Sequence, residues 1–475
     1  MTLERQVYLL DPQTLPPETI AVTFAKTSRS PQSFREIAAE LSDEKSAQFH
    51  EKWVVGYGHS SVAEHAILHI AIENISRLAV ESLESNRLAS YTEKSTRYQK
   101  WGLEEFIIPP ELEDHPLRES YTRTCRLLLD SYHRFMPVVQ QLVMDEHPRQ
   151  QGESETAWKQ RIRPEYIDVC RFLLPAASLA NVGVTINARA LEHAICKMLS
   201  HPLAEVRATG QEIKQAAQAV IPTLVKYANP TPYLENVRLS LQAAANRAVS
   251  SPGFPSDWCH LVHYDEEAEI RVLSAALYRF SGIGYTQASE YIRSLSLQEK
   301  QILAGKLLTG LNRHDIPLRE LEHAYFTFDL ILDQGAFAEL KRHRMLTLTP
   351  QPLTTRLGFA IPHRITAASL EQEYRTVMEE VSATYEHLAN FSPEVAAYLV
   401  PNAFNRRVMI TLNLRSADHL LNLRTASNAH FSIRRVAQRM ASQLRDILPL
   451  FGSLLRANQE ETWQEIEEKY FTQVM

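Results

Sequence analysis

Two stretches of the sequence, about half a chain apart, carry the same uncommon residues in the same order. DEKSAQFHEKWVVGYGH, from Asp43, matches LQEKQILAGKLLTGLNRH, from Leu297, with Glu44 against Glu299 and His59 against His314, both 255 residues apart. Glu64-His65 then matches Glu322-His323 at 258, and SNRLAS from Ser85 matches RHRMLT from Arg342 at 257, so only small loop changes intervene. VTINARALEHAI, with Asn187 and Arg189, matches ITLNLRSADHLL, with Asn413 and Arg415, at 226, which makes the second copy shorter in its middle. Shared Leu and Ala periodicity produces apolar matches, but not matched Glu-His and Asn-x-Arg positions. The chain is therefore read as a tandem duplication.

At 475 residues, two domains suit the length better than one core. The division is expected at residues 1–248 for copy one, 249–256 for a linker rich in Pro, Ser and Gly, and 257–475 for copy two. Helical spacing runs through 33–57, 60–70, 116–145, 187–199, 203–227, 366–389, 415–422 and 429–448. AILHIAIENI and AYFTFDLIL alternate as strands do, so each copy is expected to be α+β, helix-rich with small antiparallel sheets. The polar stretch HPRQQGESETAWKQRIRPE, near 145–165, reads as a surface insertion in copy one.

Charge narrows the function classes. Lys and Arg number 50 against 56 Asp and Glu, a net of −6, so no chain-wide cationic field is present to hold nucleic acid or an anionic membrane. Any phosphate must be bound by local arginines. The most apolar run, Phe172 to Ala188, contains Pro175, Asn181 and Asn187 and reads as a buried segment rather than a membrane span. The N-terminus lacks the pattern of a signal peptide, and Cys125, Cys170, Cys196 and Cys259 form no C-x-x-C pair; a cytoplasmic protein with cysteines as core fillers is expected.

SNRLASYTEKSTRYQKW places Glu93, Ser95, Arg97 and Tyr98 within six positions, offering a carboxylate, a hydroxyl and a guanidinium suited to ribose and phosphate. Copy two reads Lys341-Arg342-His343-Arg344 at the equivalent place, and such neighbours repel unless an anion sits between them. Metal binding is not expected: Glu64-His65 with His69 has the wrong order for a zinc motif, and His260-x-x-His263-Tyr-Asp265 reads as a solvated loop without further ligands. There is no GxGxxG or P-loop.

With Y-G-H-S-S-V-A-E-H, S-R-L-A, R-L-A-S-Y-T-E-K-S-T-R-Y, R-F-L-L-P, T-I-N-A-R-A-L-E-H and T-L-N-L-R-S-A-D-H-L-L-N-L-R, the chain resembles the flavin-dependent thymidylate synthases (ThyX), whose signature is R-H-R-x-x-S-x-N-E-x-S-x-R-Y. Together the copies cover nearly the whole chain. The resemblance implies FAD as cofactor, NADPH and methylenetetrahydrofolate as co-substrates, and dUMP as the nucleotide. Members of one copy's length are homotetramers with sites assembled from neighbouring subunits, which implies here a homodimer acting as a pseudo-tetramer. By the same resemblance Glu93, Ser95, Thr96, Arg97, Arg171, Arg342 and Arg424 bind dUMP, and Arg424, at the end of N-L-R, is the arginine that activates the pyrimidine. The residues on the FAD side are His59, Ser61, Glu64, Arg342, His343 and Arg344, with Asn187, Arg189 and His193 and their counterparts Asn413, Arg415 and His419.

Each copy departs from the pattern in a different half. Copy one has Ser85-Asn86-Arg87 in place of R-H-R and Met198, beside Lys197, in place of the activating arginine. Copy two keeps Arg342-His343-Arg344 and Arg424 but offers Pro350, Thr354, Arg356 and Ala397 where copy one has its nucleotide-binding residues. A site joining both copies is complete; a site built from like copies is not. Closed twofold symmetry leads us to expect that the halves meet between chains of a dimer. A non-catalytic flavin- or nucleotide-binding scaffold or sensor is the alternative, favoured by the loss of half of each signature.

Overall fold

In the computed structural model, which describes residues 5–56, 59–248, 257–312 and 315–475, the chain forms two compact units. The first comprises 1–95, 105–118 and 177–252, and the second 96–104, 119–176 and 253–475. The units are not the sequence copies, because the middle of copy one packs with copy two. The expected linker, 249–256, and His314 lie outside the described residues.

Each unit is organised around an antiparallel sheet of the same topology. In the first, β1 (Ile67–Ser76), β2 (Ala89–Glu93) and β3 (Leu179–Asn187) lie in the order β1-β3-β2. In the second, β4 (Cys259–Tyr264), β5 (Tyr325–Asp333), β6 (Thr347–Pro350) and β8 (Asn405–Asn413) lie in the order β4-β5-β8-β6, and β7 (Ile361–Pro362) pairs separately with β9 (Phe471–Gln473). β5, β6 and β8 therefore repeat β1, β2 and β3. Register agrees as well: Glu93 faces Val182 as Pro350 faces Val408.

The change of offset from 258 to 257 is not a loop change. It falls within β1, where pairing with β3 jumps between Ile72 and Ile75 while β5 pairs with β8 without interruption from Tyr325 to Asp333. One extra residue makes a β-bulge, and Asn74 adopts φ 59° there, with its backbone N–H held 3.0 Å from Asn181 Oδ1.

Helices fall mostly where apolar spacing placed them: Arg118–Glu146, Ala188–Leu199, Ala204–Gln218, Glu371–Phe391, Leu414–Arg424 and Phe431–Ile447. Three expectations are corrected. The helix expected over 33–57 is three pieces, Phe34–Glu40, Asp43–Phe49 and a π-helix His50–Gly56, because Ser42 turns extended and caps the second piece through Lys45 N–H. The helix expected over 60–70 is a 3₁₀ turn, Ser60–His65, followed by β1. His260 and His263 stand on β4, paired with β5, rather than in a loop. The polar stretch near 145–165 is mostly exposed and runs into the helix Glu155–Cys170, started by the Ser154 cap.

In the second unit the core is the buried face of the sheet, Phe326, Phe328, Val408 and Ile410, against Leu420 and Leu421 of one helix and Ile433, Val436 and Met440 of the next. Cys125, Cys170 and Cys259 are buried, and burial pushes the thiols of Cys125 and Cys170 up to about 12, so they are packing groups rather than nucleophiles. Among the described residues no helix is long and apolar enough to cross a membrane.

Candidate functional site

Within the second unit, arginines from both copies converge on two carboxylates. Arg171 opens the 3₁₀ turn Arg171–Leu173 at the end of the helix Glu155–Cys170, and Glu339 lies in the helix Gln334–Leu340. Glu339 places one oxygen 3.2 Å from Arg171 Nη2 and the other 3.1 Å from Arg424 Nη1. Arg97 grips Asp168, with Nε 2.9 and 3.1 Å from the two oxygens and Nη2 at 2.7 Å, and its Nη1 donates to the Asn428 carbonyl at 3.1 Å. The sequence led us to expect that these halves meet between chains; here Arg97 and Arg171 of copy one meet Glu339 and Arg424 of copy two within a single chain.

The contact that joins them has the symmetry of the duplication. Pro175 and Pro401, 226 residues apart, form an antiparallel bridge. Around it, Ala176 N–H donates to the Val400 carbonyl and Asn402 N–H to the Leu174 carbonyl, both at 3.0 Å. Equivalent residues exchange equivalent bonds, as they do across an isologous dimer interface.

Burial sets the charge states. His343 accepts a hydrogen bond from Arg424 Nε at 2.9 Å, and burial with the Arg424 and His419 charges pushes its ring down to about 3. It is neutral at ordinary pH, so the expected repulsion within Lys341-Arg342-His343-Arg344 is relieved at the histidine, without an anion. Burial also pulls the Arg424 guanidinium below its ordinary value, with Glu339 opposing and Arg342 and Arg97 adding to the shift. His430 is fully buried; it accepts from Ser432 N–H on Nδ1 and therefore donates from Nε2 to the Asp168 carbonyl at 3.1 Å, a neutral ring held well below its usual range. The Arg171 side chain is 4% exposed, and its Nε has no hydrogen-bond partner. Beside it, Gly335 spares Asp333 Oδ1 a tight contact, since a Cβ there would lie 3.0 Å from that oxygen and in ordinary contact, 3.5 Å, with Arg171 Nη2.

The remaining expected residues are dispersed. Thr96 is buried in the second unit. Arg342 is exposed and Arg344 half-buried. In the first unit Glu93 is spent on an ion pair with Arg77 at 2.8 Å, Ser95 is half-buried, His59 precedes the 3₁₀ turn and Ser61 lies within it. Asn187 and Asn413 both cap helices, accepting from the N–H of Ala190 and Ser416 at 2.8 Å. Arg189 pairs with Glu64 and Arg415 with Glu322, so the same ion pair appears in each copy. His193 and His419 are exposed on the helices that follow. Where copy two has Arg424 against His343, copy one has Lys197 Nζ 2.7 Å from Ser85 Oγ and 3.2 Å from Asn86 Oδ1, while Met198 is buried. In the second copy Arg356 is held by Glu386 through two bonds of 2.8 Å, as Arg97 is held by Asp168.

Arg415 borders a cleft of about 1160 Å³ in the second unit, lined also by Arg271, Arg279, Arg319, His323 and Tyr325. It is large enough for a cofactor, and four arginines there face three carboxylates, Asp265, Glu320 and Glu322. The cleft has room for a group of flavin size, and each of its arginines is paired with one of those carboxylates. Sequence reasoning missed Asp168, Glu339 and His430. The available signal was an acid three residues before an arginine, Asp168 before Arg171 and Glu339 before Arg342.

Comparison with known proteins gives the context. The profile of the family described as "Thymidylate synthase complementing protein" matches residues 10–223 and 260–450. A UPF0159 protein from Chlamydia muridarum is 30% identical over 434 residues, covering 88% of this chain and 82% of the relative. A UPF0159 protein from Thermoplasma acidophilum is 26% identical, covering 88% and 90%. A flavin-dependent thymidylate synthase from Clostridium tetani is 29% identical over 220 residues, 45% of this chain and 83% of that protein, the share expected if one copy corresponds to the whole of a shorter relative.

Proposed function

The chain belongs to the thymidylate synthase complementing protein family, and from that premise we propose that it is a flavin-dependent thymidylate synthase, converting dUMP to dTMP with methylenetetrahydrofolate as carbon donor and NADPH as reductant. The observation that carries this reading is the cluster in which Arg97 and Arg171 of copy one and Arg424 of copy two surround Asp168 and Glu339. Three arginines drawn from the two half-signatures, each incomplete in its own copy, lie together there.

Arg97 and Arg171 hold the phosphate and ribose of the nucleotide, with Ser95 and Thr96 from the same segment. Arg424 faces the pyrimidine and stabilises the negative charge that develops on it, a contribution worth most where water is excluded. His343 orients that guanidinium: its neutral ring accepts the Arg424 Nε hydrogen bond and adds no competing positive charge. FAD, held by Arg342, His343, Arg344, Asn413, Arg415 and His419, supplies hydride to the reaction when bound. The buried thiols of Cys125 and Cys170 stay protonated and serve packing. Two chains associate as a dimer that reproduces the four-copy assembly of shorter relatives.

A non-catalytic flavin- or nucleotide-binding protein is the second reading. It is favoured by Glu93, whose carboxylate is committed to Arg77, and by Pro350 at the same register position in copy two. Purified protein with flavin absorbance, releasing label from C5-tritiated dUMP only with NADPH and methylenetetrahydrofolate, supports the enzyme. A yellow protein that binds dUMP without releasing label supports the second reading and overturns the first.

A further inference from the structure

Glu339 is the acid around which the arginine cluster closes. Its side chain is 9% exposed, and each of its oxygens faces a guanidinium from a different copy, Arg171 at 3.2 Å and Arg424 at 3.1 Å. Two converging guanidinium groups are the arrangement by which proteins take carboxylate or phosphate. Here the anion comes from the chain itself, and only copy two brings it, because the equivalent position of copy one is Ser82. Arg97 is engaged by Asp168, and the charges of Arg97 and Arg342 both act on Arg424. Buried Asp333 also acts electrostatically with Arg171, whose Nε is buried without a hydrogen-bond partner. An anionic group reaching these N–H donors has to take them from Glu339.

We propose that Glu339 is an internal counter-anion, occupying the slot between Arg171 and Arg424 that a phosphate or other anionic group of a ligand takes, so that anion binding there is a competition with its carboxylate. The proposal rests on Arg171 and Arg424 being the ligand-binding arginines of the function proposed above. It accounts for the buried Arg171 guanidinium, since an uncompensated buried charge is strongly destabilising. It also makes Glu339 a determinant of specificity: a dianionic phosphate displaces the carboxylate more readily than a monoanion does.

The test is calorimetric titration of inorganic phosphate, and separately dUMP, into the full-length wild type, Glu339→Gln and Glu339→Asp. Glu339→Gln removes the competing charge and should bind phosphate roughly tenfold more tightly, whereas Glu339→Asp keeps the charge and should stay within about threefold of wild type. Phosphate binding that is unchanged or weaker in Glu339→Gln overturns the proposal. If Glu339→Gln does not fold in phosphate-free buffer, its Tm should rise with added phosphate more steeply than that of the wild type, and the absence of such a rise overturns the proposal equally. Tighter phosphate binding with no use of dUMP by any form leaves the counter-anion standing and removes the synthase. Turnover of dUMP with no gain in anion affinity does the reverse.

Discussion

Arg424 ends a helix begun by the Asn413 cap, and its guanidinium is fixed on two sides, by Glu339 at 3.1 Å and by His343 at 2.9 Å. Copy one supplies only Lys197 near the equivalent place, a point charge rather than a planar fork. Arg424→Ala should therefore lower dTMP formation roughly 10²-fold or more while flavin absorbance and folding persist; turnover like that of the wild type would remove its role. His343 makes a second prediction at this scale. Its ring titrates near 3 when folded against 6.5 for an unperturbed histidine, so on acidification the unfolded chain takes up the proton first. The stability tied to the neutral ring is present above the unfolded pKa and is lost as pH falls from 6.5 toward about 3. His343→Gln should lose less stability than the wild type over that window, measured as urea midpoints near pH 7, 5 and 4. Parallel curves would show that His343 is not the buried neutral base described.

At the scale of the element, the copies differ most plainly in the bulge of β1. Asn74 holds φ 59° there, a conformation that a β-branched residue adopts only with strain. Asn74→Val should cost about 1–2 kcal/mol in urea denaturation and Asn74→Gly close to nothing, an equal cost for both pointing away from backbone strain. The helix caps at Asn187 and Asn413 separate structure from cofactor binding in the same way. Asn413→Ala should cost about 1 kcal/mol through the lost cap, while Asn413→Ser keeps a capping oxygen and most of the stability. Flavin loss in Asn413→Ser at wild-type stability would establish that the amide also serves the cofactor; full retention would confine the residue to capping.

For the whole molecule, the reciprocal bonds around Pro175 and Pro401 join the copies as subunits are joined in a twofold assembly, with both partners in one chain. Arg97 and Arg424 thus serve the same cluster from the same polypeptide. Mixing Arg97→Ala with Arg424→Ala, after proven subunit exchange, should restore no activity, since every cluster then lacks one arginine. Recovery of about one site in each mixed dimer would place the working site between chains instead.

The duplication, the family and most of the long helices were legible in the sequence, because uncommon residues at fixed spacing and apolar periodicity are properties of neighbouring positions. N-L-R pointed to Arg424, and K-R-H-R to the segment around His343, for the same reason. The bulge was visible only as a one-residue change of offset; that it lies inside a strand required the pairing of β1 with β3. The partners of the arginines were not legible at all. Asp168 lies 71 residues from Arg97 and Glu339 lies 168 from Arg171, and at such separations local pattern carries no information about which charges meet. The charge state of His343 likewise follows from burial beside Arg424, 81 residues away. Sequence thus determined which chemical groups each copy retains; tertiary packing, which alone sets distance and desolvation, decided that Arg171 of one copy and Arg424 of the other close around Glu339.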